Sequence, residues 1–268
     1  MTRILITNDD GIDAPGLHRL ALAAHSGGYD VVVAAPARDS SGASAAMSAV
    51  AQDGRVVVEE RTLPELDGVP AYAVTGTPAL AALIATRGAF GDPPDVVLSG
   101  INRGANAGPA VLHSGTVGAA LTGATYGCHG LAVSLDLADG DLTDDDRHWD
   151  TAAAYAVAVL PLLEALPRAT VVNLNVPDLP ADQVRGLCRA RFGRFGQVQM
   201  RIAERGSGYV RTALEDTGAH LEPGTDMALL ADGYATVTPL QPLGEANVDL
   251  PDLSDLAIPR REQAAARP

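Results

Sequence analysis

The sequence predicts an α/β fold: a mostly parallel sheet flanked by helices, followed by a β-rich C-terminal extension. Three observations carry this. Short, continuously apolar runs alternate with helix-length segments, as a parallel sheet covered on both faces requires. The chain has 268 residues, 47% of them hydrophobic, enough for one large core. From about Val184 the helical periodicity fades and strand-like pieces dominate.

The elements follow in order. "RILIT" (3–7) reads as a buried strand, and "PGLHRLALAAH" (15–25) as a helix with Pro15 near its start. "YDVVVAAP" (29–36) is a second strand, and "VVVEE" (56–60) and "YAVTG" (72–76) are shorter ones. "TPALAALIATRG" (77–88) is a helix with Thr77 as N-cap, Pro78 in its first turn and Gly88 closing it. "PDVVLSG" (94–100) is a strand, "TVGAALTGATYG" (116–127) a helix ending at Gly127, and "GLAVSL" (130–135) a strand. "DTAAAYAVAVLPLLEAL" (150–166) is a long helix and "ATVVNLNVP" (169–177) a strand. "YVRTAL" (209–214) and "YATVTPL" (234–240) are strand-like. This divides the chain into an α/β core (1–183), a β-rich extension (184–240) and a C-terminal tail (241–268) that is either disordered or an oligomerising arm packed on a partner. The acidic "DLADGDLTDDD" (136–146) reads as a solvated loop.

Composition removes whole classes of function. All 19 basic residues are arginine, which excludes Schiff-base chemistry and a P-loop lysine. The formal net charge of -14 would repel a nucleic-acid polymer, whose binding rests on neutralising phosphates, whereas a small phosphorylated ligand stays compatible once a cation reverses the local sign. Cys128 and Cys188 stand far apart without CxxC spacing, so neither a disulfide framework nor a structural zinc is expected. No leader-like run precedes the first strand and no apolar run reaches the roughly 20 residues of a membrane span, so the expectation is a soluble cytoplasmic protein with no membrane partner.

In open α/β sheets ligands bind beyond the carboxyl ends of the strands. The first strand runs into "TNDDG", which sets Asp9 beside Asp10 where a buried strand ends. Like charges so close need a bound cation, a shared proton or exposure in a turn. The second strand ends in "APARDSSGAS", with Asp39, Ser40, Ser41 and Ser44; "VVLSGINRGANAG" brings Ser99, Asn102 and Asn106. Carboxylate, hydroxyl and amide oxygens from three strand ends suit Mg²⁺, Mn²⁺ or Ca²⁺ rather than zinc or copper. Taken singly, an Asp-Asp-Gly turn is more often just solvated and "SSGAS" just a flexible loop; their convergence on one edge favours a cation site. Ser114, Gly115 and Thr116 open a helix, where hydroxyl and backbone N–H groups make either an anion site or an ordinary N-cap. His113 adjoins Ser114, but no GxSxG elbow is present to support a nucleophilic serine.

"ILITNDDGIDAPG", "APARDSSGAS", "TGTPA", "VVLSGINRGANAG", "HSGTVGAAL", "LNVPDLP" and "GTDMALLADGYATVTPL" occur in this order, and over roughly residues 3–240 the chain resembles the SurE family of survival-protein phosphatases, also called 5'/3'-nucleotidases. The resemblance implies a Rossmann-like α/β catalytic core over residues 1–183, metal-dependent hydrolysis of nucleoside 5'- or 3'-monophosphates and one divalent ion per subunit. It also implies homodimers or homotetramers with exchanged C-terminal segments. The family's metal ligands fall on Asp9, Asp10, Ser41 and Asn102, Ser41 being the serine directly before Gly42. Its phosphate-side residues fall on Asn106, Ser114, Gly115 and Thr116, which with Asp9 make Asp9, Asn106 and Ser114 the catalytic set. Two features depart from the family pattern: His113 replaces the usual tyrosine before "SGTV", and Pro109 and Ala110 replace acidic residues after the "GxNxG" loop. A phosphatase dedicated to another phosphorylated metabolite is therefore one alternative. A metal-dependent nucleotide-sugar transferase and a non-catalytic phosphate-binding module are others.

Overall fold

The computed structural model describes residues 1–49, 51–52, 55–137, 143–193, 198–216, 221–242 and 244. In chain order the elements are β1 (Arg3–Thr7), α1 (Pro15–Ser26), β2 (Asp30–Pro36), β3 (Ala51–Gln52), β4 (Arg55–Val56), β5 (Val58–Arg61), β6 (Ala71–Val74) and α2 (Pro78–Thr86). There follow β7 (Val96–Arg103), a 3-10 turn (Gly108–His113), α3 (Gly115–Thr125), β8 (His129–Asp136), a second 3-10 turn (Asp144–Asp146), α4 (Trp149–Glu164) and β9 (Val171–Pro177). The chain continues through β10 (Leu187–Arg189), β11 (Val198–Gly206), β12 (Tyr209–Asp216), α5 (Asp226–Ala231) and β13 (Ala235–Leu240).

Nine of the described strands form one sheet in the order β10-β13-β9-β8-β7-β1-β2-β6-β5. From β9 across to β6 every pairing is parallel. Alternate residues of β1 serve opposite faces, as a period of two dictates. Ile4 and Ile6 join Leu17, Leu20, Ala156 and Leu160 under α1 and α4. Leu5 joins Val97, Ala81 and Ala85 under α2. With few aromatic residues the core closes by near contact of small ones: a Cβ on Gly123 of α3 would stand 2.4 Å from a Val97 methyl of β7.

The helix starts follow their local chemistry. Thr77 caps α2, its hydroxyl accepting the Leu80 N–H at 3.4 Å, with Pro78 in the first turn. The mostly parallel α/β sheet expected from the sequence is what the chain forms. Only β11 and β12 make a separate antiparallel pair within the stretch expected as an extension. β10 and β13 instead join the core sheet, β13 lying antiparallel against β9 with Thr236 opposite Asn175. Of the arm expected at 241–268, all but residues 241, 242 and 244 lies outside the described residues. Among the described residues no helix is long and apolar enough to cross a membrane.

The strand order turns at β1: the chain leaves it for β2 on one side and later returns to its other side as β7. Such a switch point opens a crevice beyond the carboxyl ends of the two strands. Asp9, Asp10, Asn102 and Asn106 all belong to that crevice.

Candidate active site

The turn after β1 is built by a residue that composition alone does not single out. Asn8 is fully buried; its Nδ2 donates to the Gly11 carbonyl at 3.0 Å and its Oδ1 accepts the Gly11 N–H at 3.2 Å. This side-chain bridge closes residues 8–11 into a tight turn that presents Asp9 and Asp10 together. The Ser40 N–H donates to the Asp9 carbonyl at 2.8 Å, which docks the loop after β2 onto the same turn.

Asp9 is 3% exposed. The Thr116 hydroxyl donates a short hydrogen bond to its Oδ1, and backbone N–H groups at Gly115 and Thr116 also favour the ionised form. Burial outweighs these contacts and pushes the Asp9 carboxyl above the usual carboxylate range. Asp10 is pushed further, to about 6, first by burial and then by the charge of Asp9; Asp39 adds to this, while the Arg103 backbone and guanidinium oppose it. Asp10 Oδ2 is buried with no hydrogen-bond partner. Two neighbouring carboxyls that resist ionisation, one with an unsatisfied oxygen, describe a pocket short of positive charge.

The neutral oxygens converge here from other strand ends. Ser41 donates both its N–H and its hydroxyl to Asp39 Oδ1, at 2.7 and 2.6 Å, which leaves the hydroxyl lone pairs as acceptors. Asn102 donates Nδ2 to the Gly104 carbonyl at 2.7 Å, so its Oδ1 turns toward the Thr116 hydroxyl at 3.3 Å. Asp9, Asp10, Ser41, Asn102, Asn106 and Ser114 line one cavity of about 290 Å³, together with Gly42, Arg103, Ala110 and His113. Among the described residues no three His, Cys, Asp or Glu side chains gather as a metal cluster. The donor set here is instead a carboxylate pair completed by amide and hydroxyl oxygens, which fits a hard divalent cation.

Gly115 and Thr116, expected on the phosphate side, stand behind Asp9. A Cβ on Gly115 would lie 2.8 Å from Asp9 Oδ2, so only glycine admits this approach of α3. The anion seated at the start of α3 is thus the Asp9 carboxylate itself. Ser114 is the N-cap of α3, its Oγ accepting the Val117 N–H at 3.1 Å, and it also faces the cavity. His113 is exposed and lines the cavity, as does Ala110. Pro109 lines a neighbouring apolar cavity of about 910 Å³ that shares Ser114.

The supports of Asn106 escaped the sequence reading. Its N–H donates to Asn175 Oδ1 at 2.9 Å, and its carbonyl accepts from Asn173 Nδ2 at 2.7 Å and Asn175 Nδ2 at 3.0 Å. Its own Nδ2 donates to Ser134 Oγ at 2.9 Å. Asn102, Ser134, Asn175 and Thr236 are successive register partners across β7, β8, β9 and β13, a polar row crossing the carboxyl end of the sheet. The available signal was the pair of asparagines in the otherwise apolar "VVNLNVP", because buried amides need partners.

Residues 4–199 match the family described as survival protein SurE. The chain is 36% identical over 244 residues to the 5'-nucleotidase SurE of Stenotrophomonas maltophilia, covering 89% of each. It is 37% identical over 243 residues to the 5'/3'-nucleotidase SurE of an Escherichia coli strain, again covering 89% of each. The crystal structure of the SurE protein from Aquifex aeolicus has a TM-score of 0.74 at 28% identity, over 94% of this chain and 96% of that one. With the family match spanning residues 4–199 and these relatives covering 89% of the chain, this protein belongs to the SurE family.

Proposed function

We propose that the protein is a divalent-cation-dependent nucleotidase that hydrolyses nucleoside 5'- or 3'-monophosphates to nucleoside and phosphate. The observation that carries this is the one cavity that Asp9, Asp10, Ser41, Asn102, Asn106 and Ser114 line together, where burial holds both carboxyls above the usual range. The names of the curated relatives support the same reaction. Asp9, Asp10, Ser41 and Asn102 would hold Mg²⁺ or Mn²⁺. When bound, the cation supplies positive charge that draws electron density from the phosphoryl oxygens and acidifies a nearby water.

The chain's own groups do the rest. Asn106 and Ser114 hold phosphoryl oxygens on the far side of the cavity, where negative charge concentrates during transfer. Thr116 fixes Asp9 Oδ1, so the carboxylate keeps one orientation. Water attacks phosphorus in line with the ester oxygen and Asp9 takes the proton from that water; the P–O ester bond breaks, and the departing nucleoside oxygen takes up a proton from solvent to leave as the alcohol, Asp9 returning its own proton to solvent. Arg103 is the arginine of the cavity wall and pairs with Asp144 at 3.4 Å.

The test is colorimetric phosphate release over a panel of nucleoside 5'- and 3'-monophosphates. Release should occur with Mg²⁺ or Mn²⁺, stop after dialysis against EDTA and return with either metal. A transferase would release little phosphate without an acceptor, and a binding module would bind nucleotide without turnover. An undiminished rate after exhaustive chelation would remove the cation from the reading.

A further inference from the structure

The phosphate side of the site rests on a segment that belongs to no strand. Residues 104–107 and the 3-10 turn Gly108–His113 carry the chain from β7 to Ser114. Upstream, Asn106 is tied to β9 through Asn173 and Asn175. Downstream, the tie comes from a different part of the chain. Asp226, the first residue of α5, is fully buried. Its Oδ2 accepts the Gly108 N–H at 2.7 Å; its Oδ1 accepts the Gly193 N–H at 3.0 Å and the Met227 N–H at 2.9 Å. Its own N–H donates to the Arg191 carbonyl at 2.9 Å. Gly108 is packed against the same place, since a Cβ on it would stand 2.9 Å from the Gly193 carbonyl oxygen.

A buried carboxylate is costly unless hydrogen bonds satisfy it, and here backbone N–H groups do so. An acceptor needed only to begin α5 would require the Met227 N–H alone. The remaining bonds join two loops separated by more than eighty residues of sequence. We infer that Asp226 is a positioning residue for phosphate binding: by holding Gly108 against Gly193 it sets the spacing between Asn106 and Ser114. This rests on the reading of Asn106 and Ser114 as the phosphate-side pair. Asp226 acts through Gly108 and is absent from the cavity lining, whereas the cation-side residues Asp9, Asp10 and Ser41 hang on the β1 and β2 loops.

The substitution Asp226→Asn keeps the shape but replaces one acceptor oxygen with an NH₂ group that cannot accept the Gly108 N–H. KM for a nucleoside monophosphate and Kd for inorganic phosphate should each rise about tenfold or more, the scale of one lost hydrogen bond to a charged acceptor. Mn²⁺ affinity, measured by calorimetry without substrate, should stay within about twofold, because Asp9, Asp10 and Ser41 hang on the β1 and β2 loops and Asn102 is held in β7. In hydrogen–deuterium exchange, peptides covering 104–114 should lose protection while those covering 3–12 keep theirs. Unchanged KM and phosphate Kd with only a lower Tm, or loosening spread evenly over all peptides, would overturn the inference. The wild-type chain gives a reading that needs no variant: the Gly108 amide should exchange as slowly as that of Gly193, and exchange at the rate of an open loop would sink the idea. If the wild type releases no phosphate, the proposed activity fails, while the exchange data still decide whether the clamp exists.

Discussion

Asp9 and Asp10 show how one pair of side chains can be costly to the fold and useful to the site. Burial raises the affinity of both for a proton, and Asp10 reaches about 6 first through burial and then through the charge of Asp9. Asp9→Asn keeps the volume and removes one charge, so kcat at saturating Mg²⁺ should fall at least about 10²-fold while circular dichroism is unchanged. The pH dependence of stability follows from Asp10. Its folded value lies above the ordinary 3.8, so the folded metal-free chain holds the proton more tightly than the unfolded one. That stabilisation is full below about 4 and is lost as pH rises through about 6. The Tm measured in EDTA should therefore decline across this window, and Asp10→Asn should flatten the decline. An equal slope in the variant would assign it to other groups. The adjacency of the two aspartates was visible in "TNDDG"; the Asn8 bridge that aims them was not, because an asparagine before two aspartates looks like any turn residue until the Gly11 bonds are seen.

Among the elements, the first turn of α3 and the strand β9 decide how well the site is held. Gly115 admits the Asp9 side chain at a distance where a methyl group would clash. Gly115→Ala should thus leave a folded protein whose kcat drops by about 10²-fold, the scale of a misplaced reacting group. Wild-type turnover in that variant would show that α3 can retreat without moving Asp9. Asn175→Ala removes a group that satisfies both the N–H and the C=O of Asn106, and urea unfolding should show a loss of about 1–3 kcal/mol. "TPALAALIATRG" announced its own start through Thr77 and Pro78, since capping is local chemistry. "VVNLNVP" announced a strand, yet what its asparagines hold depends on register with β8 and on a loop almost seventy residues earlier.

For the whole molecule, the reversal of strand order at β1 brings loops from three strand ends to one crevice, and β13 closes the far side of the sheet against β9. The segment after Pro177 is therefore part of the scaffold that carries the site, through Thr225, Asp226 and β13, as well as the source of the β11–β12 pair. Apolar side chains remain in the open beside the larger cavity: Leu112 is 73% exposed, and Met47, Tyr126 and Phe192 are exposed as well. The sequence beyond Gly244 adds "LSDLAIP", an apolar cluster too short to form a core alone. Association into a homodimer or homotetramer would cover such surface. Light scattering should give a mass of two or four chains for the full protein and a lower one after truncation at Gly244. An unchanged mass would show that the arm takes no part in assembly.

What the sequence by itself determined was most of what depends on neighbours in the chain. The order of strands and helices as far as β9, the cap of α2, the acidic turn after the first strand and the oxygen-rich strand ends follow from local periodicity and residue chemistry, whereas β10, β11 and α5 gave no such signal. The motif order added the SurE resemblance and named Asp9, Asp10, Ser41, Asn102, Asn106 and Ser114, which line the 290 Å³ cavity. Only the tertiary structure decided that Gly115 and Thr116 back Asp9, that Asn173 and Asn175 hold Asn106, that Asp226 reaches Gly108, and that β13 lies inside the core sheet. The physical reason is that each of these is a pairing between groups far apart in sequence. A buried amide or carboxylate announces that it needs a partner, but strand register and loop closure choose which one.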